Sequence, residues 1–198
     1  MIIKIIQRSK VMNNTIKIIE KRFACRSFDP NKTIGENDLQ VIAQAALQSP
    51  SSYNSQNWQV IFVKNRDLLV EIEQEGLNAM AAMPDKTIYE RIQSRGGKIF
   101  YDAPCLALLT LDPSLDKGSS YVDIGILSQN IALSATAIGL DTCHCAIAKL
   151  CFSTTQSAIL KTKLQFPKNH EFAHSVILGY GTKQGIPHET NNAKITII

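Results

Sequence analysis

The chain has 198 residues, 44% hydrophobic and 19% charged, with Lys and Arg (21) only slightly exceeding Asp and Glu (17) for a net charge of +4. That length suits one domain with its own core, and the apolar fraction excludes intrinsic disorder. No apolar run approaches the ~20 residues that span a bilayer, and without a Lys/Arg block nucleic acid is not the expected partner.

The first dozen residues read as an N-terminal extension, with 13–198 as the folded domain. The opening Met1-Ile2-Ile3-Lys4-Ile5-Ile6 is cut short by charge at Lys4, Arg8 and Lys10, unlike a secretory leader. Five cysteines, an odd number, are then expected as free thiols in a reducing cytoplasm.

Thr15 to Arg22 predicts a short helix, and Phe23 to Pro30 a turn. Helix signals resume at Glu36-Asn37-Asp38, carry Leu39, Ile42, Ala43 and Ala46 at helical spacing, and stop near Ser49-Pro50. A loop from Ser51 to Asn57 leads to a strand over Trp58 to Val63. Arg66 to Met80 reads as helix; Pro84 to Lys98 is polar and helical only in part. Cys105 to Leu111 is an unbroken apolar run of strand length, expected to be buried on both faces. Tyr121 to Leu140, apolar nearly all round, predicts the longest helix and a central one. A helix over Ser153 to Leu164 and a strand over Phe172 to Tyr180 complete a fold mixing a small sheet with several helices. Periodicity leaves parallel and antiparallel pairing open.

Two segments are poor core material. Arg22-Phe23-Ala24-Cys25-Arg26 sets guanidiniums four residues apart at a helix end, where they can converge on one anion or simply be solvated. Ser49-Pro50-Ser51-Ser52-Tyr53-Asn54 supplies donors and acceptors that could serve a ligand or only the loop's own backbone. Three other patterns are set aside. Gly179-Tyr180-Gly181 with Gly185 has the wrong spacing for a dinucleotide fingerprint. Cys143-His144-Cys145 has no C-x-x-C companion, so no metal is expected. Without an identifiable acid to orient His144, these cysteines read as buried structural thiols rather than nucleophiles.

Taken in order, six motifs resemble the nitroreductase family of FMN enzymes. They are K-R-x-x-x-R-x-F-D at Lys21 to Asp29, P-S-S-x-N-x-Q-x-W at Pro50 to Trp58, and R-G-G-K-I-F-Y-x-A-P at Arg95 to Pro104. D-I-G-I-L-S-Q-N-I-A-L at Asp123 to Leu133, G-L-D-T-C at Gly139 to Cys143 and F-A-H-S-V-I-L-G-Y-G at Phe172 to Gly181 follow. The resemblance implies an α+β fold, a central mostly antiparallel sheet flanked by helices, in an intertwined homodimer. It also implies FMN at the dimer interface, NADH or NADPH as reductant, and a small-molecule electron acceptor. No protein residue is then a catalytic acid or base, because the flavin carries the chemistry.

Carried over by position, Arg22, Phe23 and Ala24 border the FMN phosphate side, and Arg26 approaches the flavin N1–O2 edge. Pro50, Ser51, Ser52 and Asn54 contact the flavin from the partner subunit, and the segment Cys143 to Ile147, with Cys145, Ala146 and Ile147 as its binding residues, offers backbone N–H groups to the flavin N5–O4 edge. Lys183 or His188 stands in for the Lys or Arg that completes the phosphate site in many members. The chain departs from the pattern with Ala24 in place of a common Ser and Asn57 in place of a Pro. The implied activity is hydride transfer from NAD(P)H to nitroaromatics, quinones or similar acceptors; the alternative is a flavin-binding sensor or store without robust turnover.

Overall fold

The computed structural model describes residues 14–186 and 189–198. The expected extension over 1–12 and the candidate His188 lie outside the described residues.

Four strands form one sheet in the order β1-β2-β4-β3: Gln59–Val63, Cys105–Leu111, Glu171–Gly179 and Asp141–His144 as β1, β2, β4 and β3. Every pair is antiparallel, which settles what periodicity left open. The unbroken apolar run of β2 has the expected cause, because all seven of its residues are buried. Alternate side chains serve opposite faces.

One face carries Ile61, Val63, Leu106, Leu108, Cys143 and Ile177 against helix α3 (Arg66–Ala82) and a 3-10 helix over Ala146–Phe152. The other carries Cys105, Ala107, Leu109, Leu111, Val176 and Leu178 against α2 (Glu36–Leu47) and α5 (Ser120–Ala137). Leu39, Ile42 and Ala46 of α2 meet Ile124, Leu127, Ile131 and Ala135 of α5 in that second cluster. Three layers result, with the sheet in the middle. Truncating one such buried Leu to Ala costs about 2–5 kcal/mol.

Helix α3 opens on a side-chain cap, while α2, expected to be capped by its own short polar residues, starts after Gly35 with no side-chain cap. The side chain of Asn65 accepts the Leu68 N–H at 2.9 Å and opens α3. Short helices α1 (Asn14–Lys21), α4 (Thr87–Gln93) and α6 (Ser157–Lys163) are the other α-helices among the described residues.

Several expectations need adjustment. The helix expected over Ser153 to Leu164 begins only at Ser157, and the 3-10 helix precedes it. The strand β3 had no sequence signal: four residues with polar ends are too short to show alternation. The expected central helix, α5, is central on one face only. Tyr121 is 65% exposed and Val122 64%, so its second apolar face lies uncovered in the single chain. Asn57, noted above as a departure from the resembled pattern, has a structural role: its Nδ2 donates to the Asp112 carbonyl at 2.9 Å, while its Oδ1 accepts the Asp112 N–H. That side-chain clamp ties the loop before β1 to the residue just after β2.

Candidate functional site

The segment after α1 is stitched to the outer edge of the sheet. Ala24 forms a parallel bridge with Thr142 of β3, and the Cys25 N–H donates to the Thr142 carbonyl at 2.8 Å. Farther along, Asp29 N–H reaches Tyr180 O at 2.9 Å and Thr182 N–H reaches Ser27 O at 2.9 Å. Cys25 and Phe28 point into the core, 1% and 4% exposed. The residues between them are thereby turned outward.

Two adjoining cavities share Arg26. The larger, about 740 Å³, is lined by Arg22, Phe23, Ala24, Arg26 and the stretch Lys183 to Ile186. Gly185 permits this enclosure, since a Cβ there would fall 2.2 Å from the Phe23 ring. The smaller, about 360 Å³, joins Arg26 to Cys143, His144, Cys145, Ala146 and Ile147, with Arg91, Arg95, Lys98 and Tyr101 opposite.

The turn after β3 is fixed through one serine. Cys145 N–H donates to the Ser175 carbonyl at 2.9 Å, and Ser175 Oγ donates back to the Cys145 carbonyl at 2.8 Å. The Cys145 N–H is therefore spent inside the protein, which narrows the expected donor set. At the head of the 3-10 helix, Ala146 and Ile147 precede the first internal bond, Ala148 N–H to Cys145 O. Their N–H groups remain as the segment's donors among the described residues.

Burial raises the thiol pKa values of Cys143 and Cys145, the latter to about 12, so neither is a ready thiolate. Beside them His144 Nδ1 lies 3.1 Å from His174 Nε2, the rings stacked at 5.3 Å. Burial, then His174 and Arg22, push the His144 pKa down to about 4, and burial lowers that of His174. The pair is neutral at pH 7, with one imidazole donating to the other.

The remaining candidates lie elsewhere. Pro50, Ser51, Ser52 and Asn54 line neither cavity of this chain. Their loop is held to the start of α5, where both carboxylate oxygens of Asp123 accept the Ser52 N–H at 3.2 Å. Within it Ser51 Oγ accepts the Gln56 N–H and Asn54 Oδ1 accepts from Gln56 Nε2, each at 3.0 Å. Tyr53, Asn54 and Gln56 all hold φ between 46° and 56°, the left-handed region.

None of Arg91, Arg95, Lys98 and Tyr101 is among the cofactor-binding residues expected from the sequence, although Arg95, Lys98 and Tyr101 fall within the Arg95 to Pro104 motif. They converge because Gly96 (φ +85°) and Gly97 (φ +69°) end α4 in left-handed geometry, with Gly97 N–H returning to Ile92 O at 3.0 Å. The Arg-Gly-Gly-Lys string is the one sequence signal that could have found them.

The profile of the Nitroreductase family matches residues 19–180. A crystal structure of a nitroreductase with bound FMN from Desulfitobacterium hafniense is 42% identical, covering 95% of this chain and 100% of its own, at a TM-score of 0.90. A nitroreductase with bound FMN from Bacteroides fragilis is 25% identical over 94% of this chain and 100% of its own, at 0.82. An oxygen-insensitive NADPH nitroreductase from Helicobacter acinonychis is 39% identical over 56 residues, a stretch spanning 28% of this chain and 27% of that relative. Among the described residues no helix is long and apolar enough to cross a membrane.

Proposed function

The chain belongs to the nitroreductase family, and from that premise we propose that it is an FMN-dependent oxidoreductase. Its reaction passes reducing equivalents from NADH or NADPH to nitroaromatics, quinones or similar small electron acceptors. The observation that carries this reading is the pair of cavities that share Arg26: both are lined by cations, and we assign the larger to a phosphate and the smaller to a ring.

The residues fit the cofactor in chemistry. Arg22 and Lys183 line the larger cavity and offer charge-assisted donors for a phosphate, with Phe23 and Ala24 as its wall. Arg26, at the junction, presents a guanidinium toward the N1–O2 edge, where it favours the negative charge that accompanies reduction. Ala146 and Ile147 offer backbone N–H donors to the N5–O4 edge. Bound FMN supplies the hydride chemistry, so the protein needs no general acid–base pair.

Pro50, Ser51, Ser52 and Asn54 serve the cofactor of a second chain in a homodimer. Two features support this: the loop lines no cavity of its own chain, and it sits on Asp123 beside the uncovered Tyr121–Val122 face of α5. Residues 13–198 constitute the FMN domain, with 1–12 as an extension, and the five free, buried thiols suit a cytoplasmic setting.

The test begins with the absorption spectrum of the purified protein and identification of the released flavin. Steady-state oxidation of NAD(P)H with menadione or a nitrofuran then reads turnover. Retained FMN without turnover would make the protein a flavin store or sensor instead. Sedimentation that finds a stable monomer holding FMN would sink the dimer.

A further inference from the structure

The smaller cavity holds more positive charge than a flavin ring can use. Arg26 faces the N1–O2 edge in the reading above, and Arg91, Arg95 and Lys98 enter from the end of α4. No carboxylate is among its lining residues. Lys98 is answered from outside: its Nζ lies 3.0 Å from Asp102 Oδ1 and 4.0 Å from Glu73 Oε2.

Arg95 is aimed without being neutralised. Its Nη1 donates to Tyr101 Oη at 3.1 Å, its Nε donates to the Arg91 carbonyl at 3.1 Å, and its guanidinium carbon sits 5.6 Å from the Tyr101 ring centre. Arg91 has no ion pair among the described residues. Both arginines are exposed, yet they border one concavity with no lining carboxylate to offset their charge, and Arg95 is braced there by an aromatic hydroxyl, an arrangement that favours an anion.

We propose that the substrate sharing this cavity with the flavin carries an anionic group, a carboxylate or phosphate, bound by Arg91 and Arg95. The inference rests on the flavin reading above. Such a group has two sources: a carboxylate on the electron acceptor, or the phosphates of the nicotinamide dinucleotide.

Stopped-flow half-reactions on the FMN-bound protein separate them. In the oxidative arm 4-nitrobenzoate is compared with neutral 4-nitrobenzyl alcohol; in the reductive arm NADH is compared with neutral 1-benzyl-1,4-dihydronicotinamide. Arg91→Gln should lower the charged-to-neutral rate ratio about tenfold in at least one arm, the loss of one charge-assisted hydrogen bond. The affected arm names the source. Arg91→Lys should restore most of that ratio, and added KCl should depress it in the unmutated protein.

Ratios within twofold of the unmutated protein in both arms overturn the proposal, even with turnover intact. Release of FMN by Arg91→Gln but not by Arg22→Ala also overturns it, since the cofactor's own phosphate would then be the anion. Calorimetric titration with benzoate against benzyl alcohol reads the site apart from turnover. If the protein takes up no FMN, the functional reading fails. Benzoate binding and its loss in Arg91→Gln then decide the anion site alone.

Discussion

Two short polar segments follow helices in this chain, and the protein holds them by opposite means. Arg22 to Asp29 is sewn to the sheet edge by backbone pairing with Thr142, Tyr180 and Thr182, and its first residues wall cavities of its own chain. Pro50 to Gln56 pairs with no strand. It keeps left-handed backbone at Tyr53, Asn54 and Gln56 and is pinned through Asp123 beside an uncovered apolar helix face. Such conformations cost roughly 1–3 kcal/mol each and persist only where the surroundings over-determine them. On the proposed reading, the first segment serves the cofactor site of its own chain and the second that of a partner.

The sharpest way to break that contrast is Val122→Glu. The side chain is 64% exposed in the single chain, so the monomer fold should survive, as circular dichroism would show. A charge buried unpaired at the proposed interface should instead abolish dimerisation and FMN retention together. A variant that stays dimeric with full flavin places the interface elsewhere.

Arg22→Ala probes the stitched segment. It should weaken FMN binding by about 1.5–3 kcal/mol, the value of a hydrogen bond to a charged group, read by flavin fluorescence on dilution. Arg26→Ala should instead lower the flavin midpoint potential by tens of millivolts, because roughly 20 mV corresponds to one kcal/mol for a two-electron couple. Unchanged affinity and unchanged potential would make both arginines solvated bystanders.

The smallest effect concerns acid. His144, on the strand to which the first segment is sewn, has its folded pKa lowered to about 4 from an ordinary 6.5, and that of His174 is lowered too. The folded state therefore resists protonation that the unfolded chain accepts. Stability from the neutral pair is complete above pH 6.5 and is lost as pH falls toward 4. Amide exchange in β3 should accelerate over that window after correction for intrinsic rates, while the Ser51–Gln56 loop should not follow it. Equal responses of the two regions would dissolve the distinction.

What could be read in the sequence follows physical signal strength. β2 announced itself because a strand buried on both faces must be apolar throughout. Arg22 and Arg26 were legible because two cations at one helix end form a local pattern. β3 was hidden by its brevity, and its importance is relational: Thr142 matters because Cys25 pairs with it. Arg91, Arg95 and Lys98 lie in a polar, partly helical stretch whose periodicity points to no ligand, even though the last two open a family motif. Only the left-handed turn at Gly96–Gly97 gathers them. The exposed Tyr121–Val122 end of α5 was not legible, because composition reports apolarity but not which apolar neighbour satisfies it.

The bond between Ser27 and Thr182 joins residues 155 positions apart in the chain. Closing so long a loop carries a high entropic cost and slows any step that depends on it. The arginine segment leaves the ribosome early yet cannot dock until β3 and the end of β4 exist. In the folding order, then, the cofactor pocket is assembled after most of the core. A nascent chain stalled before Tyr180 should carry its arginines without a pocket to put them in, so flavin capture marks the end of synthesis rather than its beginning.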